Sequence, residues 1–246
     1  MIQRNFLLFL IVCFISTQAV ATVDTINYKA TFGIFGTVGK LYTKITKNTN
    51  TYKIETKIKV MGTAKLLLNG QKETHISKGH IVNGLMVSDS YISIQKNKHK
   101  TIRKEYVFNH KTKVITKTYK KWKNGKLVKD KTKKLKFYTK DDLLTLYFNL
   151  GKSVTTRGKK YYFRVAGLEK QNGKVQITIP SKKEEAPYVK DLGKGASLYA
   201  KAFIYQKNFR KKKGDILISL ASDGYIQKSV IKDILLYGDA KIVRIK

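Results

Sequence analysis

The stretch Thr51-Tyr52-Lys53-Ile54-Glu55-Thr56-Lys57-Ile58-Lys59-Val60 decides the class of fold. Tyr52, Ile54, Thr56, Ile58 and Val60 fall on one side of an extended chain. Lys53, Glu55, Lys57 and Lys59 fall on the other. Period-two alternation of this kind describes a strand with one face buried and one face wet. The pattern returns at residues 91–95, 105–108, 114–122, 160–165, 175–179, 198–205, 215–220, 227–236 and 240–245. These segments are rich in Val, Ile, Thr and Tyr, which suit a pleated, half-buried surface.

The residues between the segments are those of hairpins. Asn69-Gly70, Asn83-Gly84, Asn124-Gly125, Asn172-Gly173 and Asp223-Gly224 all accept positive φ. Lys123-Asn124-Gly125-Lys126 joins residues 114–122 to a return strand over 127–137. Lys47-Asn48-Thr49-Asn50 supplies another turn. Strands joined in this way run antiparallel. The glycines of Gly33-Ile34-Phe35-Gly36-Thr37-Val38-Gly39 lack the spacing of a phosphate loop and no helical pattern follows them, so they mark a bend. The sequence therefore predicts an all-β fold: a long antiparallel meander forming a strongly curved sheet or partly open barrel.

One short helix is expected near residues 140–150. Thr139 is placed to cap it, with Asp142 at the third position of a capping-box-like arrangement. Leu143, Leu146, Tyr147 and Leu150 share a face, and Gly151 stands where a helix stops. Asp141 and Asp142 sit at the positive end of the helix dipole, which accounts for both without a catalytic role.

The first residues carry an address. Met1-Ile2-Gln3-Arg4-Asn5 is a short basic start, and Phe6-Leu7-Leu8-Phe9-Leu10-Ile11-Val12-Cys13-Phe14-Ile15 is an apolar run. Ala19 and Ala21 offer small residues for a cleavage that would leave Thr22 as the first residue. Residues 1–21 read as a secretory signal peptide, too short in its apolar part to span a bilayer stably. Residues 22–246 read as one β-rich domain in the periplasm, with no transmembrane segment after cleavage. Cys13 is the only cysteine and lies in the segment to be removed, so the exported domain would have no disulfide, thiol nucleophile or cysteine-held metal.

The formal charge is +35. Such a field suits a polyanionic partner. Arginine, the better tool for bidentate phosphate recognition, is confined to six positions, against a great excess of lysine. Together with export, that argues against nucleic acid. The densest basic and aromatic stretch is Lys117, Tyr119, Lys120, Lys121, Trp122, Lys123 and Lys126, with Lys129, Lys131, Lys133 and Lys134 on the return strand. It is the candidate patch for an anionic or membrane surface. Arg210-Lys211-Lys212-Lys213-Gly214 forms a second basic cluster.

Catalytic chemistry is thin. Gly-x-Ser-x-Gly is absent. Ser93-Ile94-Gln95-Lys96 has the Ser-x-x-Lys spacing, but it alternates as a strand, which sends the two side chains to opposite faces. His75, His80, His99 and His110 are scattered, with a turn expected between the first two, and none makes a metal-binding spacing. No metal and no cofactor is expected.

The order of features resembles a family of exported proteins of Gram-negative bacteria, domain of unknown function 3108. The resemblance rests on the opening strand Tyr28-Lys29-Ala30-Thr31-Phe32, the bend Gly36-Thr37-Val38-Gly39, and Asp142-Leu143-Leu144-Thr145-Leu146-Tyr147-Phe148. It also rests on residues 214–224 and a closing strand pair through Gly238. The chain departs from the family pattern at Leu220, Gly224 and Gln227, where Trp, Asp and Pro are usual. The resemblance implies a periplasmic all-β protein with a curved antiparallel sheet, similar in shape to lipoprotein carriers, and implies no catalytic residue.

The expected function is that of a non-enzymatic binding protein of the cell envelope. Its partner would be a lipid or hydrophobic chain on the concave sheet face, or an anionic envelope component. The alternatives are a polysaccharide-acting enzyme using two of Asp215, Asp223 and Asp233, or a structural subunit of an envelope assembly.

Overall fold

The computed structural model describes residues 21–67, 70–204, 214–232 and 239–245. The expected signal segment up to residue 20, with Ala19, lies outside the described residues, as do residues 210–213 and Asp233. Ala21 is exposed and Thr22 opens the first strand.

The first half is an antiparallel meander. It runs β1 (Thr22–Phe32), β2 (Thr37–Lys47), β3 (Thr51–Val60), β4 (Lys72–Val82), β5 (Leu85–Lys96), β6 (Lys100–Asn109), β7 (Val114–Lys123) and β8 (Lys126–Lys134). The second half holds β9 (Asp141–Asp142), β10 (Lys160–Ala166), β11 (Lys174–Thr178), β12 (Leu198–Ile204), β13 (Gly214–Leu220), β14 (Ile226–Ile231) and β15 (Ala240–Ile245). All lie in one 15-stranded sheet, in the order β8 to β1 followed by β15 down to β9. β1 pairs with β15, and among the described residues the only parallel pair is β9 with β10. Helix α1 (Gly62–Leu67) leads into β4, α2 (Leu143–Ser153) follows β9, and α3 (Ala186–Leu192) precedes β12.

Local chemistry explains the turns. Asn83-Gly84 and Asn124-Gly125 take left-handed φ of 51° and 76°, and of 46° and 80°, which matches the right-handed twist of the strands they join. Asn48 Oδ1 accepts from the backbone N–H of Asn50 and Thr51 to close the β2–β3 turn. The glycine-rich stretch forms the β1–β2 bend, with a 3-10 turn at Gly33–Phe35 and a register shift beside Ala30.

The sheet curves around α2. Leu150 packs with Val165, Ile177, Ile218, Leu220 and Ile226 of the second half. Phe148 packs with Ile26, Tyr28, Ile45, Tyr52 and Ile54 of the first. Leu143 and Leu144 pack against the cluster of Tyr91, Tyr106, Phe108 and Ile115. One helix thus serves three apolar clusters and lies in the concavity.

The start of α2 differs from the sequence expectation. Asp142, not Thr139, is the N-cap: its Oδ1 accepts from the N–H of Leu144 and Thr145, and the Thr145 hydroxyl accepts from the Asp142 N–H. Residues 141 and 142 stay extended because they pair with Val165 and Ala166 of β10. The Thr139 hydroxyl instead donates to the Arg164 carbonyl and accepts from the Asp141 N–H. The helix also runs through Gly151 to Ser153, where the sequence had placed its stop.

Candidate functional site: a basic face and a buried polar seam

The β9 edge turns back on the first half of the sheet. The Lys140 carbonyl accepts from the Ser88 N–H of β5. Asp142, with no exposed surface, accepts at Oδ2 from the hydroxyls of Ser77 (2.5 Å) on β4 and Ser88 (2.7 Å) on β5. Ser77 in turn shares a hydrogen bond of 2.9 Å with the Tyr52 hydroxyl of β3. Burial pushes the Asp142 carboxyl up, against the pull of the two serines and two backbone N–H groups. Burial also raises Asp141, to about 6. Asn149, one face further along α2, bonds both the N–H and the carbonyl of Met86. These groups serve as a polar seam that docks α2 and the short β9 against β4 and β5 without a strand ladder.

Further along the concave face stands a second polar group. Glu169, on the β10–β11 loop, accepts from the Tyr106 hydroxyl and the Lys117 ammonium, each at 2.5 Å. Burial works to raise the Glu169 carboxyl, but Lys117 and Tyr106 outweigh it and hold it below the ordinary range. The loop reaches this place because Gly167, at φ +104°, crosses the rings and side chains below it. A Cβ there would stand 3.0 Å from Leu143 and 3.1 Å from Tyr91. His75 bonds the Tyr91 hydroxyl at 2.8 Å and Glu73 at 3.3 Å. Burial would raise Glu73 also, yet its bond to His75 and two glutamine donors leave it lowered.

The basic candidate patch is divided between two faces by the strand period. Tyr106 is core, so the residues in register with it face inward: Lys117 and Lys133, then Lys104, Tyr119 and Lys131, then Ile102, Lys121 and Lys129. Lys117 is buried and tied to Glu169, so it is not a free surface cation. Lys120 and Trp122 point to the convex face. There Lys120 pairs with Asp130 at 3.2 Å. Trp122 stands half-buried in a groove beside Ile94, Arg103 and Thr101. Lys123 and Lys126 flank the exposed Asn124-Gly125 tip. What the fold brings together is a lysine row, Lys129, Lys131 and Lys133, across from Tyr119. The Lys129 ammonium lies 5.6 Å above the Tyr119 ring. With Lys117 they line a groove of about 250 Å³. Lys104 joins this face, and the even spacing of lysines at 129, 131 and 133 was the signal for the row.

Other expected residues stay apart or fall elsewhere. His75 and His80 lie on one strand, β4, with no turn between them. His80 and His110 come together on Asp89, contrary to the scatter their sequence positions suggested. Asp215 pairs with Lys201 and Asp223 with Arg244. Asp215 lies near the start of β13 and Asp223 in the turn past its end, separated by about 16 Å of strand from Asp215 to Leu220, and they do not face each other across a cleft. Among the described residues no helix is long and apolar enough to cross a membrane.

Fold and site define a mostly-β protein whose curved, open sheet is plugged by one helix and carries a lysine-rich wing. No family model matches the chain, and no curated protein matches it. A solved structure described as a beta-barrel-like protein of domain of unknown function DUF1849 from Brucella abortus is similar, with a TM-score of 0.48 and 12% identity. The match covers 90% of this chain and 95% of that one.

Proposed function

We propose that the chain is an exported, periplasmic, non-enzymatic binding protein that docks on an anionic membrane surface through the β7–β8 hairpin. The observation that carries the reading is β8: every residue of this edge strand is exposed. Its inward lysines extend a face whose nearest acids are already engaged, Glu169 with Lys117 and Glu73 with His75, Gln71 and Gln95. Lysines on an edge discourage pairing with another sheet, so the wing is suited to an anionic surface rather than to strand addition. The tip adds apolar contact. Leu127 and Val128 are 45% and 48% exposed beside half-buried Trp122, with Lys123 and Lys126 around them. An aromatic and aliphatic tip ringed by lysines fits the boundary between headgroups and acyl chains.

Each lysine near an anionic leaflet contributes about 1 kcal/mol at low salt. The exposed lysines of the hairpin therefore suffice for reversible docking. Because α2 occupies the concavity, docking is favoured over a hydrophobic chain held on the sheet.

Sedimentation with phosphatidylglycerol-containing vesicles tests the reading. Binding should fall steeply as salt rises from about 0.05 to about 0.3 M, as screening shortens the reach of the charges. The Lys129→Glu, Lys131→Glu, Lys133→Glu triple variant should lose it. Equal binding to neutral phosphatidylcholine vesicles, or none to either, removes the proposal. Binding to soluble acidic polysaccharide alone would reassign the face.

A further inference from the structure

A second site stands at the rim where β4, β5 and β6 meet the segment leading to β9. Asp89 Oδ1 lies 2.9 Å from His80 Nδ1 and 3.0 Å from His110 Nε2. The two imidazoles meet edge to face, with centroids 5.2 Å apart at 89°. We propose that His80, Asp89 and His110 form a binding site for a divalent transition ion of the Zn2+ class, with water completing its coordination.

Three features carry the proposal. The first is the donor set. Two imidazole nitrogens and one carboxylate oxygen are the ligands that such ions take when a coordination position is left open. All three ligand atoms lie within 4.8 Å of one another. Donors bound to one tetrahedral ion at about 2.0–2.1 Å stand roughly 3.3 Å apart. The two contacts to Asp89 need open only by a few tenths of an ångström to admit the ion, and the two imidazole nitrogens already lie within 4.8 Å of each other.

The second feature is how Asp89 comes to be there. Between β4 and β5 the register shifts: Lys78 faces Ser90 and Gly79 faces Ser88, so Asp89 is the extra residue of a bulge. Bulges turn a side chain out of the alternating pattern. This one lets Ser88 reach inward to Asp142 while Asp89 reaches the rim histidines. Gly79 makes room for it; a Cβ there would stand 2.9 Å from the Asp89 nitrogen and 3.0 Å from the Tyr52 ring.

The third feature is the outer partner. His110 Nδ1 is 2.6 Å from the Tyr138 hydroxyl, and the His110 ring stacks on Phe108. A hydrogen bond at the far nitrogen fixes the ring and its tautomer, which is how ligating histidines are commonly held. Binding the ion releases the Nε2 proton that points to Asp89; with Tyr138 then accepting from Nδ1–H, the Nε2 lone pair is turned to the metal. The side chains of His80, Asp89 and His110 are 39%, 50% and 28% exposed, so an ion and its water have access from solvent.

Isothermal titration of the chelator-treated protein with ZnCl2 tests the site. One saturable equivalent is expected. His80→Gln and His110→Gln should each weaken it at least about tenfold, and Tyr138→Phe by about tenfold through loss of ring orientation. His99→Gln, in the β5–β6 turn, should leave it unchanged. Circular dichroism melts of each variant separate lost binding from lost folding, and these rim positions should hardly alter the melt. No saturable binding overturns the proposal, as does binding that both histidine variants retain. Binding lost equally in His99→Gln also overturns it.

Discussion

Gly151, inside α2, rests directly on the backbone of Gly224 in the β13–β14 turn. A Cβ on Gly151 would stand 2.7 Å from the Gly224 Cα and 2.8 Å from its carbonyl carbon. Neither atom can swing aside as a side-chain tip could. Gly151→Ala would gain roughly 1 kcal/mol of helix propensity but must push the helix off the turn. A net loss of about 1–3 kcal/mol is expected, read as a lower urea midpoint. A variant as stable as the parent would show that the two backbones are not pressed together.

Asp142 is the most consequential polar side chain in the fold. Asp142→Ala removes a helix cap and takes the acceptor from the Ser77 and Ser88 hydroxyls, both fully buried, leaving Ser77 only its bond to Tyr52. The expected cost is about 3–5 kcal/mol. Asp142→Asn keeps a cap oxygen and should cost less than half as much. Equal losses in equilibrium denaturation would mean that the seam is not held by these bonds.

Asp141 gives a pH signature of known sign. In the folded protein its carboxyl holds a proton up to about 6, whereas the ordinary value is 3.8. Between those values the folded state binds more protons than the unfolded chain, so this residue's contribution to stability falls as pH rises through the window. Glu73 and Glu169, both lowered, slope the other way. The readout is therefore the difference in melting temperature between the protein and Asp141→Asn. That difference should shift in the variant's favour from about pH 4 to about pH 6, and a flat difference would refute the assignment.

Lys117 and Glu169 should fail singly and recover together. Glu169→Gln leaves a buried ammonium without its counter-charge and should cost about 3 kcal/mol. Lys117→Met with Glu169→Gln should regain most of it, since an apolar stem fits beside Tyr106. A double-mutant cycle measures the coupling; additive losses would show that the pair contributes nothing.

Residues 51–60 show what the sequence could reveal. Its alternation became a strand of those same bounds, with Tyr52, Ile54 and Thr56 buried. Hairpin dipeptides such as Asn124-Gly125 likewise announced their turns, because the positive φ they need is a local property. Non-local reasons stayed hidden. Asp142 caps the helix because residues 141 and 142 pair with a strand more than twenty positions later. Gly151 serves Gly224 rather than a helix end, a contact 73 positions apart in sequence. Part of the basic patch was readable: odd and even positions of 117–123 must part company in a strand, and the fold separates Tyr119 from Trp122 on that rule. The meeting of His80, Asp89 and His110 was not, since it depends on one unpaired residue in β5.

The pairing of β1 with β15 has a consequence for how the molecule assembles. Each half of the sheet is built from neighbours in sequence, and such hairpins form early because their loops are short. The central seam instead joins Tyr28 to Arg244 and Ala30 to Ile242, across nearly the whole described chain. Contacts of that separation slow folding. Until β15 arrives, β1 is a bare inner edge with half its core exposed. The molecule's period of greatest vulnerability to aggregation thus lies late in its folding, and a factor that shields β1 would protect it there.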